Sequence, residues 1–196
     1  GIAHEIGNPI GIILGYLDLL NSGDSTEVDK KDYLNRIESE IVRINKIIRQ
    51  LLDFSRPSSG EPEKTRVHDL VKMTLGMLEP QPMMEGIRTT LDLQAQKDTV
   101  LADPNQLQQV FLNIIMNVAD ALAEGKGEET LKQLTIRSER IAGSIALRFS
   151  DNGPGISEKE LLRIFDPFYT TKEPGKGTGL GLSVCYRIVE GLGGTI

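Results

Sequence analysis

His4 and Glu5 stand side by side in Gly1–Ile10 (GIAHEIGNPI). An imidazole of reference pKa near 6.5 is about three-quarters neutral at pH 7, so one ring nitrogen is free to act as a nucleophile while the other holds a proton. Glu5 can hydrogen-bond that proton and stabilise the charge that develops on the ring. Pro9 deletes the N–H that would bond the Glu5 carbonyl and crowds that carbonyl, which predicts a bend or loosening of a helix beside the histidine. His68 has no such company and reads as an ordinary surface residue.

Three more groups carry chemistry further along the chain. Asn113 and Asn117 lie four apart in an apolar helical stretch, with Asp120 on the same side. Asn is depleted from helix interiors, so two in register ask for a reason. Either they are solvated surface residues, or their carbonyls serve as hard oxygen ligands for Mg²⁺. Asp151-Asn152-Gly153-Pro154-Gly155 ends a strand. It is either a plain turn, or it presents the Asp151 carboxylate to the exocyclic amine of a purine while Gly153 and Gly155 let the base approach the main chain. Residues 175–182 (GKGTGLGL) place a glycine at every second position ahead of a helix start, where unpaired N–H groups attract phosphate. Lys172 and Lys176 add positive charge there, although the run lacks the GxxxxGK[ST] pattern. Phe165, Phe168 and Tyr169 in IFDPFYTTK are expected to pin a nucleotide lid rather than to lie bare on a loop.

These groups need elements to hold them. Ile37, Ile41, Ile44, Ile48 and Leu51 recur at heptad intervals, and Ile2, Ile6, Ile13, Leu17 and Leu20 repeat the pattern, with the polar stretch 21–29 between. Two helices in a hairpin follow, and so thin a core predicts that two copies associate as a four-helix bundle. The composition at Ser55–Gly60 ends the second helix and begins a linker. Beyond it, a helix is expected over 67–79, strands over 87–93, near 100, over 133–138 and over 144–150, and a last helix from near Gly179 to GLGG. Asp103-Pro104-Asn105-Gln106 is a helix start with a capping box, the helix running to about Ala123 with Leu107, Val110, Phe111, Ile114, Val118 and Leu122 on its apolar face. Interleaved helices and strands without strict βαβ order suggest an α+β sandwich.

Composition narrows the classes of function. The chain has 196 residues and a net charge of −6, with no basic block in either part, which argues against a nucleic-acid partner. No apolar run reaches the roughly 18 residues of a membrane span, and no signal peptide opens the chain. The single Cys185 lies in an apolar helical stretch and reads as a reduced, buried thiol, which fits a cytoplasmic location. Of twenty glycines, those at 153, 155, 175, 177, 179, 181, 191, 193 and 194 crowd the end of the chain, where bare backbone is needed.

HEIGNP at 4–9, NIIMN at 113–117, DNGPG at 151–155, FDPF at 165–168 and GKGTGLGL at 175–182 resemble, in order, the H, N, G1, F and G2 boxes of sensor histidine kinases. LLDFSRPS at 51–58 resembles the end of the second dimerisation helix in the nitrogen-regulatory branch of that family. The resemblance implies a dimerisation and phosphotransfer hairpin over 1–56, a linker over 57–66, and over 67–196 a catalytic domain of the Bergerat ATPase type shared with gyrase, MutL and Hsp90. It further implies a chain that starts part-way into the first helix and stops before a final strand, with any membrane tether lying in an absent sensor region. By position, His4 takes the γ-phosphate of ATP, Glu5 assists as base, and Asn8 orients water for dephosphorylation of a response regulator. Asn117, with Asn113, holds Mg²⁺, and Asp151 reads adenine. Gly153, Gly155, Gly177, Thr178, Gly179, Leu180 and Gly181 shape the pocket, and Lys172 or Lys176 touches phosphate. The expected partners are a receiver domain and a second copy bound through residues 1–55, with no direct membrane contact. Val118 stands where this box more often has Ala, a difference expected to touch packing. Water-hydrolysing relatives resemble ExxxNxxDA in this helix, and Asn113 occupies the glutamate slot, which favours phosphoryl transfer to His4 over hydrolysis. The alternatives are a nucleotide-binding dimerisation module without kinase activity and a predominantly phosphatase form.

Overall fold

The hairpin is built from α1 (Ile2–Asn21) and α2 (Glu27–Ser55). α1 continues through Pro9, which does not end the helix and is fully buried. α2 starts inside the stretch read from sequence as the loop 21–29, because Thr26 closes a reciprocal cap. The Asp29 N–H donates to Thr26 Oγ1 at 3.2 Å, and Asp29 Oδ2 accepts from the Thr26 N–H at 3.0 Å. Tyr16 of α1 meets Tyr33 of α2 with ring centroids 5.5 Å apart, and the Arg36 guanidinium lies 5.8 Å from the Tyr16 centroid while bonding Asp32 at 2.8 Å. Along the expected seams Ile13, Leu20, Ile37 and Ile44 are half-buried, but Leu17 and Ile41 stay exposed, as do Ile10, Leu14, Leu34 and Val42.

This computed structural model describes residues 2–22, 26–55, 60–124, 131–172 and 177–196, without the side chains of 2–6, 27, 45–55 and 124. The backbone divides into two compact units, residues 1–56 with 166–180, and residues 57–165 with 181–196.

In the second unit β1 (Glu63–Arg66), within the stretch read as linker, pairs antiparallel with β3 (Thr99–Ala102), and Thr65 Oγ1 donates to the Ala102 carbonyl at 3.1 Å. β2 (Ile87–Leu93), β4 (Lys132–Ile141) and β5 (Ser144–Asp151) form a three-stranded sheet in the order β2-β4-β5, the first pair parallel and the second antiparallel. Alternation explains its one covered face. Leu134, Ile136 and Ser138 of β4 are wholly buried, whereas Arg137 and Glu139 are exposed. α3 (Val67–Leu78) and α4 (Pro104–Glu124) pack over this face, joined by α6 (Gly181–Gly191), and a single-turn α5 (Glu158–Leu161) is closed by a Ser157–Glu160 capping box.

α4 begins where expected, with Pro104 first and Asp103 Oδ1 accepting the Asn105 N–H at 2.9 Å. Its buried arc is wider than one stripe. Ile115 is fully buried and the expected Ile114 only half-buried, because α3, the sheet and α6 all cover this helix. Two other expectations change. α6 begins at Gly181, not near Gly179. His68 is no surface residue, since its Nε2 lies 2.8 Å from the buried Ser138 Oγ and its backbone N–H donates to Asp98 Oδ2 at 3.1 Å. Burial raises the Asp98 carboxyl, but the His68 N–H, the His68 ring and Arg66 together outweigh this and leave it below the usual range.

Candidate functional site

One face of α4 organises the second unit's polar groups. Asn113, Asn117 and Ala121 recur at intervals of four and therefore share a side of the helix. At position 113 the side-chain Nδ2 donates to the Gly181 carbonyl at 3.2 Å. One turn earlier, the Cys185 thiol donates to the Val110 carbonyl with a separation of 3.7 Å. α4 and α6 therefore run antiparallel, and the N-terminal, positive end of the α6 dipole points toward the Asn117 end. Asn117 itself is half-buried, as is Asp120.

At position 121 the helix meets the turn after β5. Asp151 is the last residue of β5 and is exposed, and its Oδ1 accepts the Gly153 N–H at 2.8 Å. The turn is thus present, and among the described residues the carboxylate's hydrogen bond runs through Oδ1. A Cβ on Gly153 would stand 2.8 Å from Asp151 Oδ1 and 3.7 Å from the Ala121 backbone and methyl, so a side chain would fill the space beside the carboxylate. Gly155 has φ of +77°, which suits glycine alone. Asn152 had no role in the sequence reading, yet it anchors the turn by donating to the Leu131 carbonyl and accepting the Gln133 N–H, both at 2.8 Å. Its only sequence signal was its place in an Asx-Gly turn.

The α6 start at 113 and the Asp151 turn at 121 are eight residues apart along α4, about 12 Å at 1.5 Å per residue. Asn117 lies midway. Asn carbonyls are suitable hard donors for Mg²⁺, and among the described residues no group of three His, Cys, Asp or Glu gathers to hold a metal.

The other unit carries the remaining residues. His4 and Glu5 lie in α1, but their side chains fall outside the described residues, and Asn8 is exposed. Lys176 is also outside them. In 166–180, Phe168 has φ of +69° and its N–H donates to the Gly179 carbonyl at 3.0 Å. Gly179 has φ of +64°, and a Cβ there would collide with the backbone of Phe168 and Tyr169. Gly177 lies against Thr170 and half-buried Lys172, Thr178 is half-buried, and Leu180 is buried. The aromatic motif and the glycines therefore lock onto each other. Phe165, which belongs to the second unit, packs instead on Tyr186 of α6 with centroids 5.5 Å apart.

Comparison with known proteins agrees with this arrangement. Residues 1–60 match the His Kinase A (phospho-acceptor) domain, and residues 102–196 match the histidine kinase-, DNA gyrase B- and HSP90-like ATPase family. The chain is 37% identical over 191 residues to sporulation kinase E of Bacillus subtilis, covering 97% of this chain and 24% of that protein. It is 35% identical over 198 residues to the signal transduction histidine-protein kinase AtoS of Escherichia coli, covering 100% and 31%. Among solved structures, the histidine kinase ThkA in complex with response regulator protein TrrA superposes with a TM-score of 0.74 at 27% identity, over 98% of this chain and 54% of that one. The Acinetobacter baumannii histidine kinase AdeS gives 0.63 at 27% identity, over 97% and 87%. The chain belongs to the sensor histidine kinases, with a phosphoacceptor hairpin followed by an ATP-binding domain. It spans a quarter to two-fifths of the length of curated relatives such as sporulation kinases E and C.

Proposed function

We propose that the chain is the catalytic core of a kinase that uses Mg-ATP to phosphorylate His4 and passes the phosphoryl group to an aspartate in the receiver domain of a response regulator. The observation that carries this reading is the face of α4, where Asn117 stands between a helix start suited to phosphate and a carboxylate turn suited to adenine. The span of about 12 Å matches the reach of a nucleotide from base to terminal phosphates. The second carboxylate oxygen of Asp151 accepts a hydrogen bond from the adenine amine, Gly153 and Gly155 keep the backbone clear, and Asn117, with Asn113 beside it, is the metal-holding amide. Mg²⁺, when bound, neutralises charge on the phosphates during transfer. By their resemblance to the family's glycine-rich box, Gly177, Thr178, Gly179, Leu180 and Gly181 are assigned to phosphate, with Lys172 or Lys176 adding charge.

In the hairpin a neutral His4 attacks the γ-phosphorus as the bond from it to the β,γ-bridging oxygen breaks and ADP leaves, with Glu5 hydrogen-bonded to the far ring nitrogen to stabilise the imidazolium that forms. Asn113 in place of a carboxylate favours this transfer, because an amide cannot deprotonate water. Asn8 orients the water that dephosphorylates the regulator. The exposed apolar residues of α1 and α2 support a homodimer through residues 1–55. The TrrA complex of ThkA supports a response regulator as partner. Among the described residues no helix is long and apolar enough to cross a membrane, and a cytoplasmic site of action follows from the proposed substrate and partner.

Incubation with γ-labelled ATP and Mg²⁺ is expected to give acid-labile, base-stable label on the protein, and addition of a receiver domain to remove it. Label that persists in His4→Gln contradicts the assignment of the phosphoacceptor.

A further inference from the structure

The two asparagines of α4 are not equivalent. The partner of the Asn113 side chain at 3.2 Å is a carbonyl, that of Gly181, and only the NH₂ half of an amide can bond a carbonyl. The amide orientation is therefore settled by its partner. One turn further on, the Cys185 thiol donates to the Val110 carbonyl, so the first turn of α6 is held to α4 at both ends. Asn113 thus grips α6 at its first residue. The grip accounts for the residue type. A carboxylate of the same shape would set oxygen against the Gly181 carbonyl with no hydrogen between them, whereas the amide supplies two.

We propose that Asn113 is a positioning residue, which locks the first turn of α6 onto α4 so that the N-terminal end of α6 faces Asn117, and that metal ligation falls to Asn117. This rests on the nucleotide reading above for its effect on affinity, but the lock itself stands on contacts between α4 and α6. The isosteric change Asn113→Asp separates a lock from a ligand. It destroys the donors while offering Mg²⁺ a better oxygen.

The test measures trinitrophenyl-ATP affinity of the 196-residue chain with Mg²⁺ and with EDTA, together with labelling of the single Cys185 by an aromatic disulfide in nucleotide-free protein. Asn113→Asp is expected to weaken nucleotide binding about tenfold in both arms and to speed Cys185 labelling about tenfold, the size of one lost hydrogen bond. Asn113→Ala, which removes the donors without adding charge, shows the same pattern and carries the test if the aspartate variant does not fold. Leu75→Ala, which deletes core packing on α3 away from the lock, stays within about twofold of wild type in affinity. Affinity lost only in the Mg²⁺ arm, or Cys185 labelling unchanged in both Asn113 variants, overturns the proposal. A wild-type chain that binds no nucleotide in either arm refutes the nucleotide reading instead, and the thiol measurement then decides the lock alone.

Discussion

The Asp151 carboxylate divides its two oxygens between two tasks, and a single substitution can separate them. Oδ1 holds the turn through the Gly153 N–H. Asn in its place keeps that acceptor but presents NH₂ where a carboxylate oxygen met the adenine amine. Asp151→Asn is therefore expected to leave thermal stability nearly unchanged and to weaken ATP binding by about 1.5–3 kcal/mol, as measured by calorimetric titration. Cys185 supplies a prediction independent of nucleotide. Burial raises its thiol from 9.0 to about 11, so between those values the unfolded chain loses a proton that the folded chain keeps. Stability from this group is complete below pH 9 and is lost as pH rises toward 11, by up to about 3 kcal/mol. Urea unfolding of wild type and Cys185→Ala at pH 8 and pH 10.5 checks this, the wild type losing more over the interval.

At the scale of elements, helix starts decide where the site residues fall. Removing the α4 cap by Asp103→Ala is expected to cost about 1 kcal/mol in urea unfolding. His68→Ala is expected to cost more, about 1–3 kcal/mol, because it strips a hydrogen-bond partner from the wholly buried Ser138. The α4 start, the strand alternation of β2 and β5 and the motifs at 113–117 and 151–155 were legible because each depends on neighbours within a few residues. His68, Ile115 and Asn152 were not. Their partners are Ser138, the three elements surrounding α4, and the backbone at 131–133, and no local period records contacts of that range. The α2 start was missed for a different reason, since Thr26 and Asp29 do form a local capping pair but sit inside a run that looks like uniform polar loop. For the site, the Asn113–Asn117 spacing was legible, but not the division between them, which requires knowing that Gly181 lies against one of the two.

For the whole molecule, the apolar residues that α1 and α2 leave exposed set the state of association. Ile13 and Ile44 are half-buried while Leu17 and Ile41 stay open, which suits a second hairpin against these helices. Ile44→Glu is expected to convert a dimer in sedimentation equilibrium to a monomer of about half the mass, since burying an unpaired carboxylate in such a bundle costs several kcal/mol. A wild-type chain that sediments as a monomer would contradict the four-helix bundle. The central claim is that one face of α4 measures out a nucleotide from adenine to phosphates. A crystal structure of the chain with Mg²⁺ and a non-hydrolysable ATP analogue tests it most directly. The expected result places the adenine amine on Asp151, the metal on Asn117 and the phosphates at the first turn of α6. A nucleotide bound away from this face, or lying across it with its base at α6, would contradict the account.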